Sequence, residues 1–153
     1  MYLRVFGLQE SAIEPVEVLE WANAAGLPVT GHFRGDEAGW FACELVFTDR
    51  DESPILLDRY LAQRDDIRDD LNTWAAWLET ADYSDQHQRL MEHVIAVKQL
   101  FTLRRPFDHA DEIRLDRLCV GLAQWLAQRT EGVYQIDNKG FFAADGTLLL
   151  TEY

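Results

Sequence analysis

Cysteine is scarce in this chain, limited to Cys43 and Cys119, which stand far apart and each inside an apolar run. That pattern excludes a disulfide framework and a zinc knuckle, and it predicts two reduced, buried thiols in a reducing setting. No stretch of eighteen apolar residues occurs, so no segment reads as a bilayer-crossing helix. The opening MYLRVFGLQES lacks a basic region running into a long apolar stretch, the mark of a secretory signal. These absences predict a cytoplasmic protein. Basic residues are few as well, 14 against 27 acids, for a formal net charge of −13, and only Lys98 and Lys139 are lysines. Long-range electrostatics therefore oppose nucleic-acid phosphates and anionic lipid and favour a basic protein partner.

Several catalytic strings are missing too. G-x-x-x-x-G-K-[ST], G-x-G-x-x-G and G-x-S-x-G do not occur, so phosphate-cradling loops and a nucleophile elbow have no support. Asp49 to Ser53 opens with the acidic spacing of a calcium loop, but Pro54 stands where that loop needs glycine and Tyr60 where it needs glutamate. No cofactor is implied.

What is present suits a folded protein. The chain has 153 residues, 48% hydrophobic and 12% aromatic. A domain of that length hides roughly 68 to 70% of the surface its unfolded chain exposes. YLRVFGL at 2–8 predicts a strand. A helix should follow, with Ser11 and Glu14 at capping-box spacing, Pro15 in the first turn, Val16, Leu19 and Ala22 as its apolar stripe, and Gly26 as its stop. PVTGHFR and GWFACELVFT predict a hairpin around RGDEAG. Alternation puts Phe41, Cys43, Leu45 and Phe47 on one face of its second strand and Trp40, Ala42 and Val46 on the other.

Three helices are expected next. The first starts at Ser53 and Pro54 in SPILLDRYLAQ and continues to about Thr80, with a break near Gln63. The second covers DYSDQHQRLMEHVIAVKQLF, capped by Ser84, with Leu90, Val94, Val97 and Phe101 inward and Arg104, Arg105 and Pro106 at its end. The third follows PFDHAD and runs to Arg129, with Leu115, Leu118, Cys119, Leu122 and Leu126 as its stripe. Turns at Asn138 to Gly140 and Asp145-Gly146 divide the tail into antiparallel strands. With no repeat and no linker, residues 1–153 read as a single α+β domain. Its order predicts a ferredoxin-like β-α-β-β-α start with inserted helices and a C-terminal antiparallel β-meander. The string from TEGVYQID to DGTLLL, about twenty residues, resembles the ends of small bacterial proteins of unknown function, in which a helix closes on T-x-G, enters a strand and turns at D-G. That resemblance implies no activity.

The stretch RDDIRDDLNTWAAWLET at 64–80 crowds acids beside tryptophans. At roughly 100° per residue, Asp65, Asp66, Asp69 and Asp70 share one arc of a helix while Ile67, Leu71, Trp74 and Leu78 lie opposite. Arg68 is placed to pair with Asp65. The acids then form a solvated face, and Trp77 falls on its border, away from the dry stripe that holds Trp74. Loss of Trp74 should therefore cost distinctly more stability than loss of Trp77. Trp77 with Asp66, Asp69 and Asp70 is the predicted partner surface, because tryptophan is over-represented among interface hot spots.

Other constellations carry alternatives. Asp108, His109 and Asp111, followed by Glu112, collect where a helix begins; they cap it, or they bind a divalent ion with His32 or His87 as a further ligand. His87 and His93 are six residues apart, which turns them away from a shared helix face. Arg34, Arg104 and Arg105 make a small anion pocket, or the latter two serve a helix C-terminus. The sequence thus reads best as a soluble, non-enzymatic interaction or regulatory protein, with an immunity-type or inhibitor role against a basic toxin or nuclease as one concrete form and self-association left open. The alternative is a metal-assisted hydrolase built on Asp108, His109 and Asp111.

Overall fold

A computed structural model describes residues 1–80 and 86–152. In chain order the elements are β1 (Tyr2–Gly7), α1 (Pro15–Ala24), β2 (Val29–Asp36), β3 (Gly39–Phe47), β4 (Ile55–Leu61), α2 (Arg68–Thr80), α3 (His87–Ile95), β5 (Gln99–Arg104), α4 (Glu112–Arg129), β6 (Val133–Ile136), β7 (Gly140–Ala143) and β8 (Leu148–Thr151). All eight strands join one sheet in the order β2-β3-β4-β5-β1-β6-β7-β8, and every paired neighbour is antiparallel. The α+β class and the C-terminal meander match expectation.

Two expected helical stretches are strands. Ile55–Leu61 forms β4 between β3 and β5, although its leucine-rich run favours a helix by local propensity. Two ladders satisfy its backbone on both sides, and that tertiary pairing overrides the local preference. Gln99–Arg104 forms β5, so Arg104 closes a strand and not a helix; α3 has already ended at Ile95, with Ala96 as its C-cap. Phe101 and Val97 are buried as expected, but outside α3. Ser84, the expected cap, lies outside the described residues. The ferredoxin-like start is also revised: β4 follows β3 where a helix was expected, and β1 pairs with β5 and β6, both antiparallel.

Helices lie on both faces of the sheet, and the second face is covered only in part. On one, α1 and α4 bury Val18, Ala22, Leu118, Leu122 and Leu126 against Leu3, Val5, Leu45, Leu57 and Phe101 of the strands. On the other, α2 and α3 bury Leu71, Leu78, Leu90 and Val94 against Phe6, Leu100 and Phe141. Where helices cover both faces, as at Val5 and Phe6 of β1 and Leu100 and Phe101 of β5, the strands carry apolar residues on both sides, which hides the alternation of an ordinary half-buried strand.

Helix ends are set by local chemistry. Glu14, not Ser11, is the N-cap of α1 and forms the capping box with Glu17, whose carboxylate accepts the Glu14 N–H at 2.8 Å. Val16 consequently points outward, and Val18 takes the buried position with Ala22. The T-x-G string closes α4 against β1: the Thr130 carbonyl accepts the N–H groups of Leu8 and Gln9, at 2.9 and 3.0 Å. A Cβ on Gly132 would stand 2.6 Å from the Phe6 carbonyl oxygen, so the close approach there needs glycine.

In the hairpin the register shifts between Arg34 and Gly35, which pair with Ala42 and Trp40. Phe41 is the extra residue of a bulge, and the alternation inverts around it. Trp40 turns inward, 6% exposed, beside Phe33 and Phe101, while Phe41 is 43% exposed. The predicted faces are thus exchanged at these two positions.

His93 of α3 lies partly buried with its Nε2 2.8 Å from the Phe6 carbonyl oxygen. That oxygen only accepts, so the neutral ring carries its proton on Nε2. Burial lowers the pKa of His93 below its ordinary value, and the bond to Phe6 opposes the shift only in part. A histidine depressed on folding contributes stability that is complete above roughly pH 6.5 and is lost as pH falls below it. Denaturant melts between about pH 7.5 and 5.5 should show this loss, and His93→Gln should flatten the dependence.

Candidate functional site

One cross-strand row runs over the face that carries α2 and α3. By register it comprises Arg34, Ala42, Asp58, Thr102, Arg4, Gln135 and Phe141, on β2, β3, β4, β5, β1, β6 and β7. Side chains opposite one another in antiparallel strands share a face, so this row is polar over most of the sheet, with apolar members at Ala42 of β3 and Phe141 of β7. The apolar end lies under α2, where Phe141 meets both tryptophans. The polar end is open, with His32, Arg34 and Glu44 exposed.

A cleft of about 310 Å³ lies where the open half meets α2. Tyr2, Arg4, Asp58, Tyr60 and Thr102 form its floor, and Ile67, Asp70 and Trp74 its wall. The Arg4 guanidinium sits 5.3 Å from the Tyr2 ring centroid and 5.1 Å from that of Trp74. Its Nη1 donates to Asp137 at 2.7 Å and to Gln135 at 2.9 Å. Burial pushes the Asp137 carboxyl up, but hydrogen bonds from Gln135, Arg4 and the Tyr2 N–H outweigh it and hold the group below its ordinary value. The charge of Arg4 is thereby matched at Asp137.

Asp58 has no such match. Burial raises its pKa, and the charge of Arg34 in the same row opposes the shift only in part. Among the described residues, no ion pair reaches its carboxylate. Tyr60 beside it is also raised, chiefly by burial and then by the Asp58 charge. The cleft therefore presents two carboxylates, three hydroxyls and aromatic rings, a set suited to a cation with an apolar stem.

The predicted partner surface divides on folding. Asp66, Asp69 and Asp70 are all exposed, and of the three Asp70 alone lines the cleft. Trp77 is half-buried, stacked on Phe141 at 6.1 Å and edge-on to Trp74 at 6.0 Å. Asp65 lies before α2, where its carboxylate accepts the Leu61 N–H at 2.7 Å, and Arg68 donates to the Ile95 carbonyl. Arg4, Asp58, Tyr60 and Thr102 were not singled out by sequence. Their signal was the period-two alternation of ILLDRYL, in which Asp58 and Tyr60 share one side and Leu57 and Arg59 the other.

The predicted metal cluster is taken up in local bonds. Asp108 accepts from the Ser53 hydroxyl at 2.6 Å, and Asp111 caps α4 by accepting the Arg114 N–H at 2.9 Å. Buried His109 has Nε2 2.7 Å from the Ser53 carbonyl oxygen and Nδ1 3.6 Å from Glu52 Oε1. Among the described residues, no three His, Cys, Asp or Glu side chains gather where they would be able to hold a metal ion. A larger depression, of about 540 Å³, brings Arg104 and Arg105 together beside Phe107, without Arg34. Arg105 is paired there with Asp116 at 2.8 Å. Burial pushes the Cys43 and Cys119 thiols up to about 12, so neither supplies a thiolate near neutral pH. No helix of the described residues is long and apolar enough to cross a membrane. No protein-family model, curated protein or solved structure matches the chain.

Proposed function

We propose that this is a non-enzymatic interaction protein which receives a basic side chain of a partner protein in the cleft between α2 and the open half of the sheet. The observation that carries the reading is Asp58, a partly buried carboxylate without an ion-pair partner among the described residues, in a cleft walled by Tyr2, Tyr60 and Trp74. A lysine or arginine would lay its methylenes along the rings and bring its charge to Asp58 and Asp70. The net charge of −13 adds attraction at long range. An inhibitor that occludes a basic surface of another protein is the concrete role this fits.

The test is a titration with the blocked peptides acetyl-Gly-Arg-Gly-amide and acetyl-Gly-Gln-Gly-amide, followed at the Trp74 indole by NMR. The arginine peptide should give saturable shifts that persist at about 0.15 M salt, and Asp58→Asn should weaken it about tenfold. Because burial disfavours the charged form of Asp58, Asp58→Asn should leave the melting temperature at neutral pH unchanged or raised. Equal binding of the glutamine peptide, or of the arginine peptide to the variant, would sink the reading.

A further inference from the structure

Two arginines are buried among the described residues, Arg59 at 9% and Arg105 at 8% exposure. They differ in company. Arg105 has the Asp116 carboxylate at 2.8 Å. Arg59 has only neutral acceptors: its Nε donates to Gln99 Oε1 at 3.1 Å and its Nη1 to the Trp40 carbonyl at 3.1 Å. Gln99 is itself held, donating from Nε2 to the carbonyls of Gln9 and Ser11 at 2.6 and 3.1 Å, so its oxygen is fixed toward Arg59. The guanidinium is therefore oriented before anything binds, and its desolvated charge lacks a carboxylate in contact. Asp65 and Glu14 act on it only through space.

Arg59 opens onto two small clefts of about 290 and 60 Å³ at the hairpin end of the sheet. Both clefts also contain Ala38, Leu61 and Arg64. Arg64 brings a second guanidinium, held by Asp36 through Nη1 and Nη2 at 3.1 Å each. The clefts thus carry two cations and three carboxylates: Asp36 is engaged by Arg64, Asp65 accepts the Leu61 N–H, and Glu10 stands at the rim. One positive charge, the buried one, is left without direct compensation.

We propose that Arg59 and Arg64 form a binding site for a single carboxylate group, supplied by an acidic side chain or a C-terminus of a peptide ligand. A monoanion supplies the one contact that Arg59 lacks, a carboxylate at its guanidinium. A phosphate dianion would meet about twice the repulsion from Glu10, Asp36 and Asp65 that a monoanion meets in the same clefts. The site lies on the Arg59 side of β4, opposite the side that carries Asp58, and stands independently of the cleft at α2.

Four probes test the assignment at constant ionic strength: N-acetylglycine for a terminal carboxylate, N-acetylaspartate amide for a side-chain carboxylate, N-acetylglycinamide as the neutral control, and inorganic phosphate. The readout is the NMR shift of the Ala38 and Gly39 amides and of the Trp40 indole N–H, which donates to the Ile13 carbonyl nearby. At least one carboxylate should saturate these signals, and which of the two binds tighter identifies the source. Arg59→Gln should abolish the response, and the exposed change Arg64→Gln, which spares the core, should weaken it about tenfold. Saturation by the neutral amide, tighter binding of phosphate than of either carboxylate, undiminished binding to Arg64→Gln, or no saturable shift from any probe would overturn the proposal.

Discussion

Trp40→Ala is expected to destabilise the protein by about 3 to 5 kcal/mol, while Phe41→Ala should cost less than about 1 kcal/mol, both read from urea melts. The contrast follows from the bulge in β3. Trp40 is 6% exposed, donates its indole N–H to the Ile13 carbonyl at 2.6 Å, and packs on Phe33 and Phe101. Its removal opens a cavity between α1's approach and the sheet, and leaves a buried carbonyl without its donor. The Arg59 guanidinium over the same ring, at 5.9 Å, loses its aromatic neighbour as well. Phe41 is the inserted residue and faces water. Strict alternation along GWFACELVF demands the reverse ranking, so the pair of variants decides between an uninterrupted strand and the bulge.

Trp74→Ala and Trp77→Ala are expected to destabilise by comparable amounts, about 2 to 4 kcal/mol each. A helical wheel separates these residues, with Trp74 on the dry stripe and Trp77 on its wet border. The structure joins them in one aromatic cluster. Trp74 meets Phe6 and Phe141 edge-on, at 6.0 and 5.7 Å, and Trp77 stacks on Phe141 and meets Trp74. Both are half-buried. Because the rings share partners, the double variant should lose less than the sum of the single ones, by about 0.5 kcal/mol or more. If Trp77→Ala were nearly neutral while Trp74→Ala was costly, the cluster would not hold Trp77 and the wheel would have been sufficient. Trp74→Ala should also remove one wall of the proposed cleft, so its peptide binding falls with its stability, whereas Trp77 lies outside the cleft.

Residues 64–80 show how far local pattern reaches. The amphipathic wheel placed Ile67, Leu71 and Leu78 in the core and Asp66, Asp69 and Asp70 in solvent, and they lie there. The long α4 stripe, both buried thiols, the β1 run and the turns of the C-terminal meander were legible for the same reason: each is specified by spacing or by turn chemistry within a few residues. ILLDRYL and QLFTLR were not. QLFTLR is apolar on both faces and offers no clear period, and the alternation of ILLDRYL is short and masked by its leucines, which also suit a helix.

The sequence by itself determined the α+β class, the net acidic charge, the amphipathic faces of α2 and α4 and the burial of the cysteines, because these depend on composition and on short-range periodicity. Only the tertiary structure decided that β4 and β5 are strands, since their hydrogen-bond partners lie in segments far away along the chain. The same pairing decided the candidate site. Asp58, Thr102 and Arg4 come from β4, β5 and β1 and become neighbours only through register. Trp40 reaches the core through one inserted residue, and Arg59 follows β4 to the opposite face, where its contacts among the described residues are neutral acceptors. A side chain's neighbours across a sheet are set by ladder register, and a shift of one residue sends it to the other face; no local pattern encodes that choice.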